Sequence, residues 1–399
     1  MRGMSTAAPL ESGPQPFSVD ELRDRRSRLL AAAAAEGADT VVAYGANRAG
    51  SAVPWLTTWP VTREALAVLD ADRPIRLFVG FPNHVPAARR AAHDAGLGDE
   101  VGMLDGDTAE RAVAALRHGG PPRRVGLVGP VPYPVREAIA AWATDVVVLD
   151  RAYTRLRMTK SAEELAWLEH AAALTDRAAV ALLRAAGEGA SERDMVAAAE
   201  HAYRAAGGSH HICYISVTSM ESPDRCAPAQ FPSDRRAAPG SVVVFELSAG
   251  WGPDHPAQLL RTATVDADPT PLYARLHEVA EAVRDDLLAR IRPGALPADL
   301  LTALDPVRAE GFTLVDDLIH GLGGGYLPPV LSMRSDQPRG LHAEPLRPGM
   351  TLVVQPNVCT VDMSAGVQTG EMVVVTETGC RSLHRFPPGL LRVPDAALR

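Results

Sequence analysis

The pattern of the chain changes near Asp150. Before it, short apolar runs alternate with helical stretches. "TVVAYG", "ALAVLDA", "IRLFVGF", "VGLVG" and "VVVLD" read as strands, and "VPAARRAAHDAG", "TAERAVAALRHG" and "VREAIAAWATD" as helices. That alternation predicts a mixed α/β unit with a covered sheet. After it, helices lengthen and are followed by long strand-like runs. One layer architecture does not hold both patterns, so two domains are expected, 18–150 and 151–399, after a leader at 1–17 whose Pro, Ser and Gly content reads as disordered. A length of 399 residues supports two cores.

Ser18 and Glu21 form an S-x-x-E capping box ahead of the first helix, and Ser161 and Glu164 repeat it ahead of a helix expected over 161–186. A helix follows at 191–206, then a loop over 221–240 rich in Pro and charge, the strand "SVVVFELSAG" and a strand ending "LLRTATV". A long helix over 270–291 stops at Pro293-Gly294. The Gly-rich "HGLGGGYLPP" reads as a loop, and "TLVVQPNVCT", "GVQTG" and "EMVVVTE" as strands. Helices followed by antiparallel strands, given twice, predict an α+β domain of two similar halves.

A net charge of −8 gives no basis for nucleic acid or anionic membrane as a partner. Cys213, Cys226, Cys359 and Cys380 lack CxxC spacing and read as reduced thiols. With no apolar run of signal-peptide or membrane-spanning length, a soluble, cytoplasmic protein is expected.

"RLRMTKSAEEL", "PGSVVVFELSAG", "QLLRTATV", "IHGLGGGYLPP", "LRPGMTLVVQPNV" and "GVQTGEMVVVTETG" follow one another in a distinctive order. Together they resemble the pita-bread superfamily of methionine aminopeptidase, aminopeptidase P, prolidase and creatinase. The resemblance covers nearly the whole chain after residue 18. It implies a pita-bread catalytic domain behind a smaller, creatinase-like α/β domain, a homodimer, and a small-molecule substrate. The family's metallopeptidases hold two divalent ions through Asp, Asp, His, Glu and Glu. Those positions fall here on Glu246, Gln258, His320, Gln355 and Gly370, with Glu371 beside the last. A further family His falls near Ala229.

Carboxamides neither neutralise nor bridge dications, and two dications here leave uncompensated charge that is costly to bury. The sequence therefore leads to a metal-independent, creatinase-like hydrolase or lyase with no cofactor. It would act on a C–N bond of an amino-acid-like or guanidino-like cation. His320 is its expected acid/base, and Glu246 and Glu371 its expected cation partners. Gln258 and Gln355 would orient the scissile group. Set against this are an Xaa-Pro metallopeptidase with one divalent metal such as manganese or zinc, or a remodelled centre, and a non-catalytic binding module.

Each assignment has a structural counterpart. Glu246 could instead partner Arg261, His320 could be satisfied by loop carbonyls, and Gln258 and Gln355 could be relics held by backbone groups. His210 or His211 is a candidate proton carrier in place of the missing loop His. Tyr326 is a candidate hydrogen-bond donor and Arg334 a candidate anchor for an anionic substrate end; otherwise they serve loop packing and surface solvation.

Overall fold

The computed structural model describes residues 13–393 except 105, 122 and 336, so residues 1–12 of the expected leader lie outside it. The chain divides into two compact units, one over 15–157 and one over the residues from Met158 onward.

The first unit opens with α1 (Val19–Ala35). Ser18 caps it through the Glu21 N–H, but the Glu21 carboxylate is bound by the buried Arg25 at 2.6 Å, so half of the expected capping box forms. Next come β1 (Thr40–Ala46), α2 (Ala52–Thr57), β2 (Glu64–Asp70), β3 (Arg76–Val79), α3 (Val85–Asp94), β4 (Val101–Met103), α4 (Thr108–His118), β5 (Arg124–Val128), α5 (Tyr133–Trp142) and β6 (Asp145–Val148). The six strands lie in the order β4-β3-β2-β1-β5-β6. β1–β2 and β2–β3 are antiparallel and the other pairs parallel. Val42, Leu66, Val68, Val125 and Leu127 meet Ala112, Leu116 and Ile139 in the core between sheet and helices. α6 (Asp150–Met158) closes this stretch of chain.

The second unit begins with α7 (Ala162–Ala185), where Ser161 and Glu164 form a complete capping box, and α8 (Glu192–Arg204), capped the same way by Ser191 and Asp194. The three long strands β7 (Ser209–Ser219), β8 (Ser241–Trp251) and β9 (His255–Val265) form an antiparallel meander. α9 (Pro271–Arg290) follows. Then come β10 (Thr313–Leu314), β11 (Asp317–Leu322), β12 (Tyr326–Ser332), β13 (Thr351–Val354), β14 (Val358–Cys359), β15 (Gly370–Val375), β16 (Cys380–Ser382) and β17 (Leu391–Val393). The main sheet runs β12-β11-β13-β15-β9-β8-β7. Val243, Phe245 and Leu247 of β8 pack with α7 and α8, and Ile319, Leu352, Val354 and Val373 pack with Leu276, Val283 and Leu287 of α9.

"HGLGGG" is not a loop from its first residue, as its glycines suggested. His320 and Gly321 are strand residues paired on both sides, and only Gly323–Gly325, at φ of 116°, 83° and 99°, make the turn into β12. Among the described residues, no helix is long and apolar enough to cross a membrane.

Candidate functional site

Strand register decides which side chains can meet. Residues opposite one another share a face, and faces alternate along each strand. Glu246 lies opposite Leu260, and Ser248 opposite Gln258, so Glu246 and Gln258 share a face. Gly370 also lies opposite Leu260, placing position 370 on that face. His320 is opposite Val353 and Val353 opposite Met372, two residues beyond Gly370. Gln355 follows Val354 and donates its backbone N–H to Leu318 O, which puts it two positions along from Val353. Glu246, Gln258, His320, Gln355 and Gly370 therefore lie on one face of one sheet.

Four of these carry side chains, and hydrogen bonds join three of them. Gln258 donates one N–H to Glu246 Oε1 at 2.8 Å and another to Gln355 Oε1 at 3.0 Å. The Gln355 side chain also faces His320 and favours its charged form. His320 Nδ1 lies 3.1 Å from Gly321 O, a group that only accepts, so Nδ1 carries the proton and the neutral ring keeps Nε2 as an acceptor. Burial holds His320 down to a pKa of about 4, against the Gly321 carbonyl, Asp317 and Gln355, which favour its charged form. Burial, with a smaller contribution from Asp316, pushes Glu246 up to about 8. Near neutral pH this face carries a protonated acid and an uncharged imidazole.

Tyr326 stacks on His320 with ring centroids 3.9 Å apart and planes 18° from parallel, and its hydroxyl donates to Asp317 Oδ2. This stack covers the imidazole from solvent. Asp316, which the sequence reasoning did not single out, accepts two bonds from Asn357 Nδ2 at 2.9 and 3.0 Å. The residue is exposed overall, but the protein packed around its carboxyl desolvates it and raises it to about 7 in spite of Asn357. The only signal for it was the doubled acid in "LVDDLIHG", two residues before the run that was read as the site.

Glu371 does not join this cluster, and its expected role as a cation partner is corrected. It lies opposite Leu259, on the other face of the sheet. There it accepts from Ser382 Oγ at 2.9 Å and pairs with the buried Arg261 at 3.5 Å. Arg261 is opposite Phe245, so it is no partner for Glu246 either. His210 is held by Tyr203 Oη at 2.8 Å and Glu200 at 3.4 Å, near the start of β7 and ahead of Tyr214, the residue opposite Glu246. His211 beside it is exposed, and so is Arg334 on the turn after β12. The structure thus brings Tyr326 to His320 but brings neither His210, His211 nor Arg334 to the cluster.

Residues 166–377 match the profile of metallopeptidase family M24, more than half of the chain. The chain belongs to metallopeptidase family M24. It is 28% identical over 338 residues to the probable dipeptidase PepE of Mycobacterium tuberculosis, covering 79% of this chain and 82% of that one. It is 25% identical over 246 residues to the Xaa-Pro dipeptidase of Pyrococcus furiosus, covering 61% and 68%. The fold is that of dipeptidase PepE from Mycobacterium ulcerans, with a TM-score of 0.78 at 23% identity over 96% of this chain and 100% of that one. The prolidase of Pyrococcus horikoshii superposes with a TM-score of 0.76 at 18% identity, covering 92% of this chain and all of that one. The α+β pita-bread fold of the creatinase, prolidase and aminopeptidase P superfamily is therefore that of this M24 chain.

Two expectations are corrected by these relationships. A metal-independent, creatinase-like hydrolase gives way to a peptidase reading, because the relatives are dipeptidases and Xaa-Pro dipeptidases. The expectation of no cofactor gives way to that of a divalent metal, because the family is one of metallopeptidases. The residues of this M24 chain nonetheless do not fit a two-ion centre. Gln258 and Gln355 are neutral, and their amides are spent on one another and on Glu246. Position 370 has no side chain, and a Cβ there would overlap Val354 O and come within 2.9 Å of Gln355 Cα. Among the described residues, no three His, Cys, Asp or Glu side chains converge as a metal cradle.

Proposed function

We propose that this chain is an amide hydrolase of the dipeptidase type, acting on short peptides, with Xaa-Pro dipeptides the first class to test. The observation that supports this most is that His320 and Glu246 stand on the same sheet face at family site positions, inside a chain that aligns along most of its length with a dipeptidase. The residues then have separable tasks. The Glu246 carboxyl holds a proton at neutral pH, which an expelled amine needs. Neutral His320 offers Nε2 as an acceptor. Gln258 ties Glu246 to Gln355 and sets the spacing between the proton-holding acid and the imidazole. Tyr326 shields the imidazole from water.

The test is turnover of a panel of Xaa-Pro and non-proline dipeptides, run with chelator and then with added manganese, zinc or cobalt. Ion content is measured on the same samples. Hydrolysis of a dipeptide, lost in Glu246→Gln and His320→Ala, supports the reading. No turnover of any dipeptide under any ion condition sinks it.

A further inference from the structure

Gln368 entered the sequence argument only as a letter in "GVQTG". It is fully buried, yet among the described residues neither Oε1 nor Nε2 of its carboxamide has a hydrogen-bond partner. Leaving both ends of a buried amide unsatisfied is costly, and native folds rarely do it without a ligand or water to complete the bonding.

Its direction is fixed by its neighbours. Continuing the β15–β9 register two residues beyond Gly370 and Leu260 sets Gln368 opposite Thr262. The Thr262 hydroxyl accepts from the Gln368 N–H at 2.7 Å and donates to the Gln368 carbonyl at 2.9 Å, which holds the two positions side by side. The flanking Thr369 turns its hydroxyl to Glu281 of α9 at 2.7 Å, and Glu371 turns to Arg261. Positions 369 and 371 point one way, so 368 and 370 point the other, onto the face of Glu246, Gln258 and Gln355. On the same face, the fully buried Ser248 hydroxyl also lacks a partner among the described residues.

A carboxamide offers an acceptor and a donor side by side. Among groups on a short peptide, the N-terminal residue presents the matching pair: an amine that donates and, one carbon away, the scissile carbonyl that accepts. A free carboxylate would match only half of it, leaving Oε1 against another oxygen. We propose that Gln368 positions substrate, with Oε1 taking a hydrogen bond from the α-amino group and Nε2 giving one to the scissile carbonyl oxygen. This rests on the peptidase reading above. It makes Gln368 a positioning residue that discriminates for a free N-terminal amine.

The experiment replaces Gln368 with Met, which keeps an unbranched chain and removes the polar pair, and with Leu as a second variant should Met pack poorly. Thermal unfolding is recorded without ligand. Binding of Ala-Pro, and of propionyl-Pro, which lacks the amine, is recorded by calorimetry. The expected result is an unchanged or higher Tm, by about 2 °C, with Ala-Pro binding about tenfold weaker and the wild-type preference for Ala-Pro over propionyl-Pro reduced. A Tm lowered by several degrees in both variants would show that the amide has an internal role and overturn the proposal. So would wild-type and variant proteins that bind Ala-Pro equally. If the wild type binds neither probe, the peptidase reading fails and this proposal with it; equal binding overturns this proposal alone.

Discussion

Arg261 and Glu371 approach to 3.5 Å on the face of the sheet opposite Glu246, with both side chains buried. The guanidinium also donates to the carbonyls of Leu260, Gly370, Phe386 and Pro387. This pair ties β9, β15 and the segment after β16 together from behind the site.

Loss of Glu371 is therefore a stability lesion. Glu371→Ala leaves a buried guanidinium without its counter-charge and should cost about 3–5 kcal/mol. Glu371→Gln should cost less, because the amide oxygen can still accept from Ser382. Urea denaturation measures both. A Glu371→Ala protein of wild-type stability with altered substrate affinity would instead return Glu371 to the site.

The raised Glu246 acid predicts a pH dependence of opposite sign to that of an ion-paired carboxylate. Below pH 4.5 both folded and unfolded chains hold the proton. Between 4.5 and about 8 the unfolded chain releases it and the folded chain does not, so stability falls as pH rises. The slope is at most about 1.4 kcal/mol per pH unit. Asp316 adds the same sign between 3.8 and about 7. His320 works the other way: lowered from 6.5 to about 4, it removes stability as pH falls through that window. Glu246→Gln should flatten the alkaline side, above pH 7, of a denaturation series from pH 5 to 9; an unchanged slope there would place the Glu246 carboxyl in an ordinary ionisation range.

How much of this could be read in the letters depends on what each residue's role requires. The Ser161–Glu164 box is local, and it forms as its spacing predicts. "VVVFELSAG" announces a buried strand, and Glu246 stands out in it because a carboxylate there needs a reason. Glu371 was misread because its role turns on which face it occupies. A shift of one residue reverses every side chain of a strand, and only the pairing with Leu259 fixes that. The four glycines within five residues after His320 suggest a loop there, although the strand continues through Gly321. Asp316 gives only the weak signal of a doubled acid, and Gln368 gives none: their significance lies in partners present or missing, which spacing does not encode.

Tyr326 controls the His320 ring by cover. Tyr326→Ala exposes the imidazole and should bring its pKa back toward 6.5, since burial is the main cause of its depression. Tyr326→Phe keeps the stacked ring and should leave it near 4, losing only the bond to Asp317. A pH titration of the His320 ring protons by NMR distinguishes them. Equal values in the two variants would show that the stack does not desolvate the ring.

Gly370→Glu should not rebuild an ancestral ligand. The added side chain meets the Val354 carbonyl and Gln355 before it reaches the site, at a cost of about 1–3 kcal/mol. Thermal unfolding should show the single variant destabilised, and Gly370→Glu with Gln355→Ala partly recovered. A fully stable single variant would mean that Gln355 moves aside freely.

That crowding couples positions 355 and 370. A side chain at 370 calls for less bulk at 355, and less bulk at 355 alone leaves a hole. Anyone who wants to add a group to this face has to choose the two residues together.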